Sequence, residues 1–204
     1  MDSPLSSYTI AVVADTHVPD RINDLHPGLV SALKAERIDQ IFHAGDVCVK
    51  RVLDELSQVA PVSVVRGNRD FMLKPLPPMS LSMNVKGVHL VLSHGHGSFI
   101  TYWLDKIQYV AEGGYRFERY WRRLLKQWPD AKAFIYGHTH YPENCWIDEH
   151  LFFNPGSATF GIKRLNHPPS FGLLRIFPDR RLESEICPLT GWRADQGRWM
   201  RQDR

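Results

Sequence analysis

Eight side chains able to hold a divalent cation lie in five short stretches of this 204-residue chain, each where a strand-like run ends in a small residue. They are Asp15 and His17 after Ala14, Asp46 after Gly45, Asn68 after Gly67, His94 and His96 after Ser93, and His138 and His140 after Gly137. Small residues let the backbone come close to a shared centre, and ligands of open parallel sheets gather beyond the carboxyl ends of strands. Extended residues two apart point the same way, roughly 7 Å from each other. Asp15 with His17, and His138 with His140, could therefore each straddle two metal ions about 3.5–4 Å apart. Taken singly, Asp46 would read as a helix cap and Asn68 as a turn residue. Five such strand exits in one chain argue instead for a common metal centre. Imidazole, carboxylate and amide without thiolate suit a borderline divalent ion.

The elements that must position these groups follow from periodicity. Strand-like runs at 8–15, 40–46 and 62–68 alternate with amphipathic helices at 28–37 and 49–58, a β-α-β-α-β pattern that implies a parallel sheet with right-handed crossovers. A hairpin is expected over 81–85 and 87–95, turned at Lys86-Gly87. Further strands are expected at 132–137, 145–149, 151–156, 171–177 and 181–187, paired antiparallel because they lie close together. Residues 99–129 interrupt this rhythm and read as two helices broken at Gly113-Gly114. In the second, Phe117, Trp121, Leu124, Leu125 and Trp128 share one face, opposite Arg116, Arg119, Arg123 and Lys126. That basic face is either a solvated surface or a cap leaning over an anion site. The whole chain, 1–204, reads as one α/β domain with this helical insertion.

Composition narrows the function classes. Hydrophobic residues make up 43% and charged residues 23%, and no apolar run approaches the ~20 residues that span a bilayer. The N-terminal stretch lacks a basic segment followed by a signal-type apolar run, so a cytoplasmic location without a membrane partner is expected. Cys48, Cys145 and Cys187 have no CxxC spacing and are expected to be reduced thiols. A formal charge of +3 does not by itself indicate nucleic acid and suits a small anionic substrate equally well.

The stretches ADTH (14–17), HAGD (43–46), GNRD (67–70), SHGH (93–96), GHTH (137–140) and NPGS (154–157) together resemble the calcineurin-like metallophosphoesterase superfamily. The likeness is greatest to its small single-domain bacterial and archaeal phosphodiesterase branch, over most of residues 8–176. The resemblance implies an αββα sandwich, two mixed β-sheets flanked by helices, with the 99–129 insertion added. It implies that Asp15, His17 and His140 hold one ion, that Asn68, His94 and His138 hold the other, and that Asp46 bridges them. The cofactors would be two divalent metal ions, Mn2+ first, with Fe, Co, Ni or Zn as the alternatives used in the family. Two dications against two aspartates leave about +2, which favours a phosphoryl group attacked in line by a metal-bridging hydroxide. A small phosphate-ester substrate follows, a diester before a monoester.

Asn68, Arg69 and His96 are the residues expected to act on that substrate. Larger phosphatases of the superfamily have histidine at the position of Arg69, and many of the smaller relatives have cysteine. Arg69 cannot donate a proton at neutral pH but can neutralise a phosphate oxygen. His96 is then the candidate acid, or else a hydrogen-bonding neighbour of His94. Asp70 either orients Arg69 or caps a turn, and Ser157 is a candidate phosphate contact. His43 and His89 read as core or supporting residues, and His26, His150 and His167 as loop positions. Two other functions are open. One is a non-catalytic scaffold, since THVPDR (16–21) resembles the start of the retromer subunit of this fold, although that subunit has degraded ligand positions. The other is an enzyme on single-stranded nucleic acid, suggested by the basic insertion and by the Trp- and Arg-rich end GWRADQGRWMRQDR, which could equally be a frayed terminus. A homo-oligomer is compatible with the sequence.

Overall fold

A computed structural model describes residues 7–95, 117–162 and 167–202. His96 and the Gly113-Gly114 break lie outside them. The β-α-β-α-β start forms as expected: β1 (Tyr8–Val13), α1 (Leu29–Ala35), β2 (Gln40–His43), α2 (Lys50–Ser57) and β3 (Val62–Val64). The three strands run parallel, with Ile10 beside Gln40 and Ile41 beside Val62. Period-two alternation gives β1 two apolar faces. Ile10 and Val12 point into a core shared by two sheets, while Ala11 and Val13 meet Leu29 and Leu33 of α1 and Val52 and Leu56 of α2. Each such buried aliphatic side chain contributes about 1.5–3 kcal/mol. The other side of β1 is taken by β9 (Ser170–Ile176), antiparallel, followed by β10 (Leu182–Pro188).

The second sheet has the order β4-β5-β6-β8-β7, from β4 (Ser80–Val85), β5 (Val88–Ser93), β6 (Ala133–Ile135), β7 (Glu143–Ile147) and β8 (His150–Asn154). The hairpin β4–β5 is as expected, but the all-antiparallel pairing is not. β6 runs parallel to both β5 and β8. The long segment between β5 and β6 permits a crossover. The short β7–β8 hairpin then places β7 on the edge, so that β8 returns beside β6 in the same direction. Proximity in sequence fixes only hairpin partners.

Helix α3 (Phe117–Gln127) covers the outer face of this sheet. Leu124, Trp121, Leu125 and Trp128 pack against Phe134 and Phe152, whose rings stack at 5.0 Å. The indole N–H of Trp121 donates to the Tyr136 hydroxyl, which donates in turn to Glu143. Helices on both outer faces of two mixed sheets make the αββα sandwich. The described part of the 99–129 insertion is thus one of the flanking layers, with Lys126 of its basic face exposed, while Arg116 and the rest of the insertion lie outside the described residues. Among the described residues no helix is long and apolar enough to cross a membrane.

The C-terminal stretch is not a frayed end. It forms a hairpin of β11 (Trp192–Asp195) and β12 (Arg198–Arg201). Trp199 packs against the core under α1 and α2, and its indole N–H donates to the Asp24 carbonyl at 2.8 Å. The Asn23 N–H donates to the Gly197 carbonyl at 2.9 Å. His26 is correspondingly buried rather than an open loop residue, T-shaped against Trp199 at 4.7 Å. Its Nδ1 accepts the Gly28 N–H at the start of α1 (3.0 Å).

Burial lowers the pKa of His26 from 6.5 to about 4. Between those values the unfolded chain carries a proton that the native chain does not, so stability is complete above pH 6.5 and declines as the pH falls toward 4. Thermal unfolding followed by circular dichroism should show a larger drop in Tm from pH 7 to pH 5 in the wild type than in His26→Gln. Equal drops would mean that His26 is not held neutral.

Candidate metal centre

The seven described candidates meet beyond the ends of five strands: Asp15 and His17 follow β1, Asp46 follows β2, Asn68 follows β3, His94 follows β5, and His138 and His140 follow β6. Five of them have left-handed backbone, with φ of 53° at Asp15, 50° at His17, 55° at Asp46, 73° at His138 and 61° at His140. Such φ values are uncommon away from glycine and cost on the order of 1–3 kcal/mol each. Here they swing the chain sharply at the strand end, so that successive side chains turn inward to one point. The backbone bonds that hold them join neighbouring strand exits. Asp15 N–H donates to Gly45 O (3.0 Å) and His17 N–H to Asp46 O (2.9 Å). His138 N–H donates to Asp15 Oδ2 (2.9 Å). The glycines preceding the ligands are demanded by this closeness. A Cβ on Gly45 would lie 2.6 Å from His94 Nδ1, and one on Gly137 2.8 Å from Asp15 Oδ2.

Two groupings result. Asp15, His17 and His140 offer ligand atoms within 4.8 Å of one another, and so do Asp15, Asp46 and His94. His17 Nε2 and His140 Nε2 are 3.1 Å apart, with Asp15 Oδ1 3.9 and 3.4 Å from them. Asn68 Oδ1 lies 3.2 Å from both His94 Nε2 and His138 Nδ1. Asp46 stands between the groups, Oδ2 being 3.6 Å from His17 Nε2 and Oδ1 3.6 Å from His94 Nε2.

The chemistry of these donors fits a divalent cation. His94 Nδ1 lies 2.6 Å from the Ala44 carbonyl, so that nitrogen carries a proton and Nε2 faces the site. In the neutral ring Nε2 is an acceptor, and it confronts another acceptor, Asn68 Oδ1. Asp15 Oδ1 is fully buried without a hydrogen-bond partner. Converging acceptors of this kind are unfavourable unless a positive charge lies between them. Titration reflects the same crowding. Burial pushes Asp46 up to about 6, against the pull of His94 and with Asp15 adding repulsion. Burial likewise opposes the charge on Asp15, but His140, His94 and His17 outweigh it and hold its carboxyl below the ordinary range. His17 is lowered to about 3, chiefly by burial. His94 is raised, since Asp46 and Asp15 overcome its burial.

Of the residues expected to act on substrate, Asn68 is in the cluster and His96 lies outside the described residues. Arg69 donates its backbone N–H to Asp46 Oδ1 (2.8 Å), and its half-exposed side chain reaches Asp20, with Nε 3.9 Å from Oδ2. Asp70 neither orients Arg69 nor merely caps a turn. It is fully buried and its carboxylate accepts the N–H groups of Asp46 (2.9 Å), Cys48 (2.7 Å) and Gly67 (2.7 Å). Ser157 makes no open phosphate contact. Its hydroxyl donates to Asp15 O (2.8 Å) and accepts from the N–H groups of Thr159 and Phe160. Asn154 ties the GHTH loop, donating to Gly137 O and Thr139 Oγ1, each at 3.1 Å. His43 supports the centre from within the core, buried and 3.3 Å from Thr16 Oγ1.

Sequence reasoning missed Asp20 and Phe160. Asp20 Oδ2 lies 3.6 Å from His17 Nδ1, a charge contact beyond hydrogen-bond reach. Phe160 lies parallel to the His140 ring, 6.1 Å between centroids. Phe160 lies in no quoted motif and Asp20, within THVPDR, carries no signal of this role, so both are placed by folding alone. Cys48 lies near His17 and Asp20, but burial, reinforced by Asp46 and Asp70, pushes its thiol far above the ordinary range, so it stays protonated.

An αββα sandwich carrying a carboxylate, amide and imidazole cluster at its strand exits defines a two-sheet metallohydrolase-type scaffold. The chain belongs to the calcineurin-like phosphoesterase superfamily, whose domain matches residues 8–177. A probable metallophosphoesterase of Methanothermobacter thermautotrophicus is 31% identical over 177 residues, covering 87% of this chain and 90% of that protein. One from Methanocaldococcus jannaschii is 28% identical, covering 88% and 81%. Among solved structures, vacuolar protein sorting 29 from Cryptosporidium parvum superposes with a TM-score of 0.68 at 19% identity, over 88% of this chain and 96% of that one. Wild-type Vps29 from Entamoeba histolytica, complexed with Zn2+, gives a TM-score of 0.64 at 25% identity, over 87% and 97%.

Asp70 carries the loops that carry Asp46 and Asn68. Asp70→Ala leaves three buried N–H groups without their acceptor and should destabilise the protein by on the order of 3–5 kcal/mol, read from urea unfolding. A loss below about 1 kcal/mol would show that water replaces the carboxylate.

Proposed function

We infer that the protein is a dinuclear metal-dependent phosphoesterase acting on small phosphate esters, diesters before monoesters. The observation that carries this is the convergence of carboxylate, amide and imidazole atoms on two adjacent points, the unpartnered, buried Asp15 Oδ1 with the His17 and His140 Nε2 atoms, and Asn68 Oδ1 with His94 and His138. Asp15, His17 and His140 would hold one ion, Asn68, His94 and His138 the other, and Asp46 both, with Mn2+ the first candidate. Bound there, two divalent ions supply Lewis acidity to the phosphoryl oxygens and a water acidic enough to act near neutral pH.

The chain's own residues do the rest. The Ala44 carbonyl fixes the tautomer of His94, so that its Nε2 presents a lone pair to the centre. The strand-end turns hold the donors rigidly, so little reorganisation accompanies substrate binding. Arg69, at the rim, supplies a permanent positive charge to a phosphate or leaving oxygen. It gives charge without a proton. Esters with good leaving groups are therefore the better substrates unless His96 provides the acid.

A second reading is a metal-binding scaffold for another protein. The likeness to Vps29 chains, one of them complexed with Zn2+, favours it.

Metal-stripped protein refilled with Mn2+ should take up two equivalents and hydrolyse bis(4-nitrophenyl) phosphate faster than 4-nitrophenyl phosphate. Asp46→Asn and His94→Ala should each lower turnover by about a hundredfold or more, since even residues that only support a ligand cost 10–100-fold. Two bound equivalents with no turnover on either ester would favour the scaffold. Arg69→Ala should lower kcat for an alkyl phosphodiester by about tenfold more than for the 4-nitrophenyl ester, because the alkoxide needs the charge more. Equal losses would remove Arg69 from the leaving-group side.

A further inference from the structure

A cleft of about 280 Å³ lies between the turn after β8 and the C-terminal hairpin, lined by Phe160, Pro168, Pro169, Trp192, Ala194 and Arg193 among others. The hairpin falls beyond residue 177, where the family match ends, so the family's common features do not account for it. We propose that this cleft binds the neutral, planar alcohol group of the phosphodiester, an aryl or heteroaryl substituent, while the phosphoryl group sits on the metal centre. The proposal rests on the phosphoesterase reading for the identity of the ligand, but not for the existence of the cleft.

Three observations carry it. First, the cleft and the metal centre share a wall. Phe160 lines the cleft and its ring lies parallel to that of His140, at 6.1 Å and 5°, and 6.1 Å from that of His17. One ring, that of Phe160, thus adjoins both the cleft and the metal centre. Second, this wall is fixed relative to the ligands. Ser157 and Thr159 bond the carbonyls of Asp15 and Thr16 at 2.8 and 2.7 Å, and Ser157 also holds the Phe160 N–H at 3.0 Å. On the opposite side the hairpin is pinned by Trp199 on the core and by the Asn23 N–H on Gly197 O (2.9 Å). A cleft with two anchored walls needs little ordering on binding.

Third, the lining selects the chemistry. Two aromatic rings and two prolines favour a flat apolar group. Arg193 does not make it an anion site, because its guanidinium is already met by Asp195, with 3.6 Å between Nη2 and Oδ2. Within the cleft the charges of Arg193 and Asp195 offset each other, beside rings and prolines that suit the aryl group of a phosphodiester.

The experiment separates this proposal from catalysis. Metal-stripped protein labelled with 15N is titrated with phenyl phosphate and with methyl phosphate, following the Trp192 indole and the Phe160 amide. The expected result is saturable shifts at both with the phenyl ester only, and roughly five- to tenfold weaker binding in Trp192→Ala, the size of one lost stacking partner. In parallel, the Mn2+-loaded enzyme is given bis(4-nitrophenyl) phosphate and methyl 4-nitrophenyl phosphate, which share a leaving group. The wild type should have a KM about tenfold lower for the bis-aryl ester, and Trp192→Ala should lose most of that ratio. Shifts with the phenyl ester alone, even if no ester is hydrolysed, support the cleft while removing the phosphoesterase reading. Equal response to both ligands, or turnover with a KM ratio near one in wild type and variant alike, overturns the cleft and leaves the phosphoesterase reading standing.

Discussion

Everything at the centre depends on strand exits held in left-handed backbone. Asp15, His17, Asp46, His138 and His140 each adopt a φ between 50° and 73°, a conformation that side chains with a Cβ avoid. No one of these loops would keep that shape alone. Each is held by a hydrogen bond to a neighbouring loop: Asp15 to Gly45, His17 to Asp46, His138 to Asp15, and Asp46 to Asp70. The result is a closed ring of mutual constraint in which the ligands of one group position those of the other. Strain of this sort persists where the surroundings over-determine it, and it clusters at functional sites.

The two-sheet architecture makes that ring achievable. β1, β2 and β3 bring Asp15, Asp46 and Asn68 to one end of the first sheet, and the parallel pair β5 and β6 brings His94, His138 and His140 to the same end of the second. The shared apolar core between the sheets, with Val12, Phe42, Leu92 and Ile135 among its members, sets the separation of the two sets. A parallel β5–β6 pair is essential here. Were β6 antiparallel to β5, its histidines would leave at the opposite edge of the sandwich. The crossover carrying α3 is thus a condition for the site as well as a flanking layer.

The residues proposed to face substrate have a different origin from the candidate metal-binding ones. The ligands are spaced by backbone geometry at the strand ends. Phe160, Trp192 and Arg69 stand on turns and on the C-terminal hairpin, tied to the ligand loops through Ser157, Thr159, Asp20 and Trp199. Such surfaces can vary without disturbing the ring beneath them. That separation accords with the rule that specificity on a common scaffold lies in its loops.

The convergence of the candidate metal-binding residues was legible in the sequence because each requirement is local: a strand, a small residue, then a side chain able to bind a cation. The β-α-β-α-β start and the β4–β5 hairpin were legible for the same reason, since periodicity and a short turn determine them. The parallel pairing of β6 with β5 and β8 was not, because strand direction depends on which edge is free when a segment returns. Nor were Asp70 as the acceptor that joins two loops, Asp20 beside His17, or the C-terminal hairpin with Trp199 and His26. Asp70 looks like any turn aspartate until folding brings the N–H groups of Asp46, Cys48 and Gly67 around it. The residues alone determined which atoms could hold metal. Only the tertiary structure decided how those atoms are aimed, and what surface lies next to them, because both depend on contacts between segments up to 175 positions apart in the chain.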